Sequence, residues 1–196
     1  SVSGRLLLLM GALFSSQRGR GPDWASDATT GEDVAFYLQL DLEPEPKDVC
    51  ELGPGPSGKA LLAILAAPGP KPKSLHAVEL SEKNRKRLEK EFEKEIAAGA
   101  LTILPSSTAL ADASIDILYG VHGLHCMNSI SDVLAELLRK LRPGGKLVWG
   151  CTSEGDTRVA DGAMRAAGFV EVKVDVTRLK GYARWTPVVG TKPTVE

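Results

Sequence analysis

The chain has 196 residues, of which 43% are hydrophobic and 25% are charged, a composition typical of one well-buried domain. Its 24 basic and 25 acidic residues leave a formal net charge of -1, so the overall charge favours neither nucleic acid nor an anionic membrane as a partner. The three cysteines are scattered, without the even count of a disulfide framework or the spacing of a thiolate metal site, which favours a reducing, cytoplasmic location and no bound metal.

Residues 1–47 precede the regular pattern and form an N-terminal extension. The run from Arg5 to Phe14 is basic and then apolar like a secretory signal, but no clear small-x-small cleavage site follows it, and a buried strand or helix is the expected structure. It is also too short to span a bilayer. Residues 15–33 predict a mobile loop and residues 34–40 a short helix. We therefore expect this extension, with its mobile loop, and then one domain over residues 48–196.

From Asp48 onward, short β-like runs alternate with helical runs, which predicts an α/β fold with helices on both faces of a mainly parallel sheet. The predicted helices cover residues 58–66, 81–95, 131–141 and 160–167, and the predicted strands cover residues 48–51, 75–78, 100–104, 115–120, 146–149, 169–174 and 184–190. The last two strands have no helix of useful length between them and must pair antiparallel. The last strand is therefore expected to run against the others.

A glycine-rich turn, Gly53–Gly58, joins the first predicted strand to the first predicted helix. Gly53 and Gly55 lie where the backbone must turn sharply and come close to a ligand, which a Cβ would obstruct. The helix that follows offers free N–H groups at its start. The segment is typical of a cofactor-binding turn.

The second predicted strand ends in an acidic residue, Glu79. In an open α/β sheet this carboxylate lies beside the carboxyl end of the first strand, where it can accept hydrogen bonds from both hydroxyls of a ribose. Nicotinamide cofactors and S-adenosylmethionine both use this geometry, so the turn and the acid alone leave both open.

Four segments together resemble the class I S-adenosylmethionine-dependent methyltransferases. They are Glu51–Gly55, Val78–Ser81, Ile115–Leu118 and Leu141–Leu147, and the resemblance covers residues 48–193. It implies a Rossmann-like, seven-stranded, mainly parallel sheet with an antiparallel last strand, and S-adenosylmethionine as the cofactor. A nicotinamide dehydrogenase is the weaker alternative, because the Leu-Arg-Pro-Gly-Gly turn has no role in it.

The resemblance also implies roles for individual residues. Glu51, Gly53 and Gly55 would lie against the methionine part of the cofactor, and Glu79 would hold the ribose. Ser106, Ser107 and Thr108 would edge the adenine. The chain departs from the family pattern in two places: the third glycine is displaced to Gly58, and the acidic residue common after the third strand is replaced by Pro105-Ser106-Ser107.

Histidine is the usual base near neutral pH, and His122 and His125 follow the fourth predicted strand. They are the candidate catalytic residues, able to deprotonate a methyl acceptor, and loop packing is the alternative role for both. A metal site formed by His122, His125 and Cys126 is disfavoured, because no fourth ligand at useful spacing appears. Asp116 opens the fourth strand and is a turn former, a helix-cap partner or a ligand contact.

The end of the chain resembles a second group of proteins. Gly168–Lys173 and Val189–Glu196 are similar to the close of the methyltransferase-like N-terminal domain of the anamorsin family. That resemblance implies a noncatalytic interaction module with a protein partner in cytosolic iron–sulfur cluster assembly and no cofactor in this domain. The sequence therefore predicts a methyltransferase whose acceptor, a small molecule or a protein, is unknown, with the interaction module as the alternative.

Overall fold

The computed structural model describes residues 32, 34, 35, 37, 38, 41, 42, 45–121, 129–175 and 185–194. The strands are β1 (Asp48–Leu52), β2 (Ser74–Val78), β3 (Thr102–Leu104), β4 (Ile115–Val121), β5 (Leu141–Cys151), β6 (Val170–Val174) and β7 (Thr186–Thr191). The helices are α1 (Lys59–Ala66), α2 (Glu82–Glu91), α3 (Glu93–Ala97), α4 (Ile130–Lys140) and α5 (Glu154–Ala166), with a 3-10 turn at Ser107–Ala109.

These strands form one seven-stranded sheet in the order β3-β2-β1-β4-β5-β7-β6. Strands β1 to β5 are mutually parallel, whereas β7 runs antiparallel to both β5 and β6. The predicted α/β fold with a reversed last strand is confirmed. Because β1, β2 and β4 are parallel neighbours, their carboxyl ends meet at one edge of the sheet.

Two hydrophobic clusters cover the two faces of the sheet. Cys50, Leu118 and Leu147 point into a cluster that contains the apolar side chains of α4 and α5. Their chain neighbours Val49 and Val148 point into a second cluster, which contains those of α1 and α2. This alternation follows from the period of two in a strand, and it explains why the central strands read as nearly continuous apolar runs.

The structure differs most from the sequence prediction in three places, and the other predicted element ends from residue 48 onward shift by at most two residues. The helix predicted over residues 81–95 is interrupted at Phe92, which leaves helical geometry (φ -106°, ψ 26°) while its side chain is fully buried. Helix α5 starts at Glu154 rather than Ala160, because the Ser153 side chain caps it by accepting the Asp156 N–H at 3.0 Å. Strand β5 starts at Leu141, which pairs with Ile115 ahead of an irregularity in the pairing with β4.

The described positions of the N-terminal segment pack on the second cluster. Val34, Ala35, Tyr37 and Leu38 are helical and buried, in agreement with the short helix predicted over residues 34–40. Glu32, in the range predicted as a loop, is also helical and is exposed. The Tyr37 hydroxyl donates to Asp175 at 3.0 Å, and its ring lies edge-on to the ring of Trp185. The apolar run from Arg5 to Phe14 lies outside the described residues. Among the described helices, none is long and apolar enough to cross a membrane.

Candidate active site

The glycine turn leaves β1 in the left-handed region of backbone space. Gly53 has φ +70° and Gly55 has φ +68°, values that favour glycine because a Cβ is strained there. The Gly53 N–H donates to the Val78 carbonyl at 2.8 Å, which ties the turn to the end of β2. A Cβ built on Gly53 meets nothing within 4 Å. The turn is therefore open on that side, as a ligand-binding turn must be.

The third glycine, Gly58, has a packing role. It precedes α1 with φ +52°, and a Cβ there would lie 2.8 Å from Cε2 of Phe92 and 2.9 Å from Cδ2 of Leu88. Both distances are shorter than those that Cβ atoms make in real structures. The displaced glycine of the motif thus allows the start of α1 to lie directly against α2, the close approach that this position requires.

Glu79 lies beside the glycine turn, with 7% of its surface exposed. Its Oε2 accepts the N–H of Gly55 at 3.2 Å, and its Oε1 accepts the N–H of Ser81 at 2.8 Å. Arg85 donates through Nη1 to the carbonyls of Glu79 and Leu80, at 2.8 Å each, and so fixes this segment. Within the described residues each carboxylate oxygen accepts one hydrogen bond of the two it can take, which leaves a lone pair on each for a ligand.

Glu51 lies at the carboxyl end of β1, with 4% of its surface exposed. Its Oε2 accepts the Tyr119 hydroxyl at 2.9 Å. Burial raises the pKa of Glu51 to about 8; the hydrogen bond from Tyr119 opposes this rise and the charge of Glu79 adds to it. Burial, together with the charge of Glu51, holds the pKa of Tyr119 well above its ordinary value. Two carboxyl groups therefore flank the glycine turn.

Tyr119 was not among the predicted site residues. Its Cα is the register partner of the Glu51 Cα in the β1–β4 pair. The sequence alone did not reveal this role, because a tyrosine near the end of the fourth strand lies beside the end of the first only when those two strands are neighbours.

Of the three residues predicted at the adenine edge, Ser107 is bonded to α4, and Ser106 and Thr108 are bonded to each other. Ser107 is buried and donates to Oε1 of Glu136 at 2.7 Å. The Oγ of Ser106 accepts the N–H and the hydroxyl of Thr108, at 3.1 and 2.9 Å. The segment is joined to the site through Leu104, whose carbonyl accepts the Glu79 N–H at 3.0 Å. The contact of these residues with adenine stays a prediction.

Asp116 lies at the opposite edge of the sheet. Its Oδ2 accepts the backbone N–H of Asp48 at 2.8 Å and pairs with Arg142 Nη1 at 2.9 Å. Arg142 also contacts Asp48, through Nη2 at 2.8 Å. Arg142 thus ties the starts of β1 and β4, and Asp116 is a structural residue.

His122, His125 and Cys126 lie outside the described residues, so the predicted base stays a prediction. The described residues include no group of three or more His, Cys, Asp or Glu side chains arranged to hold a metal ion.

A narrow apolar crevice, too tight to admit a water molecule, lies at the carboxyl edge of the sheet, next to the end of β4. It is lined by Val34, Leu38, Tyr119, Gly120, Val121, Val148 and Trp185. Trp185 is 3% exposed, and its Nε1 has no hydrogen-bond partner within the described ranges. The N-terminal segment and the start of β7 therefore meet at the same edge as the glycine turn.

Comparison with protein families matches residues 50–149 to a methyltransferase domain. No curated protein matches the chain. The matched range begins in β1 and ends in β5, so it includes the glycine turn, Glu79 and Tyr119.

Several solved structures share the fold. One is a putative S-adenosyl-L-methionine-dependent methyltransferase from Methanococcus maripaludis, at 12% identity and TM-score 0.70, covering 99% of this chain and 93% of that one. Another is the [4+2]-cyclase SpnF, at 14% identity and TM-score 0.65, covering 97% and 93%. A third is a complex between the Haloferax volcanii Trm112 methyltransferase activator and a putative methyltransferase, at 16% identity and TM-score 0.60, covering 88% and 96%.

Proposed function

This chain belongs to the methyltransferase domain family, and we propose that it binds S-adenosylmethionine and transfers the methyl group to an acceptor. The observation that carries the proposal is the hydrogen bond between Gly55 and Glu79, which holds a buried carboxylate against an open glycine turn. The family match supplies the class of reaction, and the local geometry supplies the reason to expect that the cofactor binds.

The residues present fit the cofactor. The turn at Gly53 has free space where a side chain would otherwise project. Glu79 is fixed by two backbone N–H groups and keeps one lone pair on each oxygen, which suits the two neighbouring hydroxyls of a ribose. Glu51 adds a second buried carboxyl group beside a ligand that carries positive charge.

When bound, S-adenosylmethionine supplies a methyl group already activated on a sulfonium centre. The protein then has to hold the donor and acceptor in line, and such positioning accounts for a large part of the rate of bimolecular reactions in enzymes. We assign Gly53, Gly55 and Glu51 to the methionine part of the cofactor, Glu79 to its ribose, and Ser106, Ser107 and Thr108 to the edge of its adenine.

His122 and His125 are the proposed bases for an acceptor whose proton must be removed. Each is tested by replacement with Ala, once transfer of a labelled methyl group has identified an acceptor. If the replaced histidine is the base, we expect lower turnover and an unchanged affinity for S-adenosylmethionine. Turnover equal to that of the wild type in both variants would show that neither histidine is the base.

We propose that residues 1–47 form an extension beside the domain that occupies residues 48–196. The support is the crevice, in which Val34 and Leu38 face Val121 at the end of β4 and Trp185 at the start of β7. The proposed methyl acceptor is either a small molecule or a protein.

The cofactor proposal is tested by calorimetric titration with S-adenosylmethionine and S-adenosylhomocysteine. Gly55→Asp places a third carboxylate beside Glu51 and Glu79 in a left-handed backbone that Asp tolerates. Gly99→Asp is the matched control, because Gly99 has φ +71° and open space around it but lies after α3, away from the site. We expect micromolar binding that Gly55→Asp abolishes and Gly99→Asp preserves.

Absence of binding at millimolar ligand would overturn the proposal. The noncatalytic interaction module of the anamorsin type would then be the better account, and its partner would be a protein of iron–sulfur cluster assembly. Binding that both variants preserve would overturn the assignment of the site to the glycine turn.

A further inference from the structure

Glu51 and Tyr119 form a buried pair beside the glycine turn. The Tyr119 hydroxyl lies 2.9 Å from Oε2 of Glu51, and the two residues are 1% and 4% exposed. Among the described residues, no Lys, Arg or His side chain forms an ion pair with Glu51. A buried carboxylate without a cation is costly, and a proton is the simplest way to neutralise it.

The groups that face Glu51 decide when this proton leaves. From β4, the Tyr119 hydroxyl donates to the carboxyl group and favours its ionised form. From the end of β2, the charge of Glu79 opposes ionisation, and so does burial, which brings the pKa of Glu51 to about 8. The neighbouring Cys50 in β1 is fully buried, and burial raises the pKa of its thiol. Glu51 is therefore protonated near neutral pH until a cation arrives.

We propose that Glu51 releases its carboxyl proton to solvent when S-adenosylmethionine binds, and that Tyr119 is the positioning residue that holds this carboxyl group and stabilises its ionised form. The inference rests on the proposed function, because it takes the sulfonium and the ammonium of that cofactor as the cationic groups. The covalent change is limited to the loss of one proton from the carboxyl oxygen to the buffer.

The linkage gives the affinity a specific pH dependence. When binding requires the loss of one proton, the affinity rises up to about tenfold per pH unit until the pH reaches the pKa of the free protein. The affinity for S-adenosylmethionine should therefore increase from about pH 6 to about pH 8, and above that pH the ionisation of Glu51 should add no further rise. A ligand without cationic groups, such as 5′-methylthioadenosine, should show no such rise.

The experiment is calorimetric titration across this range in phosphate and in Tris, two buffers that differ in ionisation enthalpy. The slope of observed heat against buffer enthalpy counts the protons released. The amino group of the ligand titrates in the same range, and Glu51→Gln retains that contribution alone. We expect the wild type to release up to about one proton more than Glu51→Gln at about pH 7.

Tyr119→Phe keeps the ring and removes the hydroxyl. We expect it to move the rise in affinity to higher pH by about one unit, so that binding is weaker at neutral pH and recovers in alkaline buffer. Tyr37→Phe is the control, since Tyr37 is an equally buried tyrosine that bonds to Asp175 instead. It should keep the wild-type pH profile.

Two failures are distinguishable. If S-adenosylmethionine binds at no pH, the proposed function is wrong. If it binds with the same proton release and the same pH profile in the wild type and in Glu51→Gln, the cofactor site stands and the role given to Glu51 and Tyr119 is wrong.

Discussion

The backbone N–H of Gly55 and the carboxylate of Glu79 are joined by a hydrogen bond of 3.2 Å, although 24 residues separate them in the chain. The bond makes the turn after β1 and the segment after β2 one structural unit. Glu79 is held in this position before any ligand binds, so binding pays little to orient it. A change in the conformation of the turn should therefore displace Glu79, and a change at Glu79 should alter the turn.

Glu79→Gln should weaken binding of S-adenosylmethionine by about 10- to 100-fold. The amide has one acceptor oxygen, so its NH₂ group must face the N–H of either Gly55 or Ser81, and one of those bonds is lost. Titration calorimetry measures the change. Glu82→Gln, an exposed position three residues along the chain, should bind like the wild type, and equal affinities in the two variants would contradict the role of Glu79.

Arg142→Met should destabilise the fold by about 1–3 kcal/mol, because it removes the cation shared by Asp48 and Asp116. Burial alone would raise the pKa of Asp48, but the hydrogen bonds from Ser74 and Arg142 outweigh it and hold this pKa below its ordinary value. The Asp48 contribution is therefore present above about pH 4 and is lost as the pH falls further.

Urea denaturation at neutral pH measures this loss, and Arg158→Met is its control. Arg158 forms an exposed i,i+4 pair with Glu154, and such pairs contribute little. A loss of stability in Arg158→Met as large as that in Arg142→Met would show that the starts of β1 and β4 do not depend on the bridge.

Much of this fold could be predicted from the sequence, because the hydrophobic periodicity and the Gly and Pro residues at turns indicate the same elements along the chain. The alternation of apolar runs and the lack of a helical pattern in the sequence between the last two predicted strands are local signals, and they predicted the reversed last strand. The start of α5 also carries a local signal, because Ser153 caps the helix by accepting the Asp156 N–H. The prediction missed it, since the residues that follow Ser153 do not form an apolar stripe. The interruption at Phe92 could not be predicted, because the buried position of this side chain depends on tertiary packing.

The candidate site divides in the same way. Gly53, Gly55 and Glu79 could be found from the sequence, since each belongs to a spaced motif. Tyr119 could not, because its role depends on β4 lying next to β1, a long-range pairing. Ser107 was expected at the adenine edge, and its hydroxyl bonds to Glu136 of a helix that follows it by many residues. Side-chain direction in a turn is set by such tertiary partners.

Glu51 should make the protein less stable as the pH rises. Its pKa is about 8 in the folded state and near 4.5 when unfolded, so the folded state holds one more proton between these values. Stability should then fall by up to about 1.4 kcal/mol per pH unit across that window and change no further above it. Glu51→Gln lacks this contribution. The difference in free energy of unfolding between variant and wild type, measured by urea denaturation across the pH range, therefore separates it from other titrating groups such as His76. A difference independent of pH would contradict a protonated Glu51.

Gly58→Ala should cost about 2–4 kcal/mol of stability, from left-handed backbone strain plus overlap with Phe92 and Leu88. Gly99→Ala carries nearly the same strain, at φ +71° against φ +52°, with open space around it, and should cost only about 1 kcal/mol. The difference between the two, measured by urea denaturation, reports the contact of α1 with α2. A double variant, Gly58→Ala with Phe92→Leu, should recover part of the loss, because the shorter side chain vacates the space that the new methyl group needs. Equal losses in the two alanine variants would show that the turn, and not the packing of α1 on α2, requires glycine at position 58.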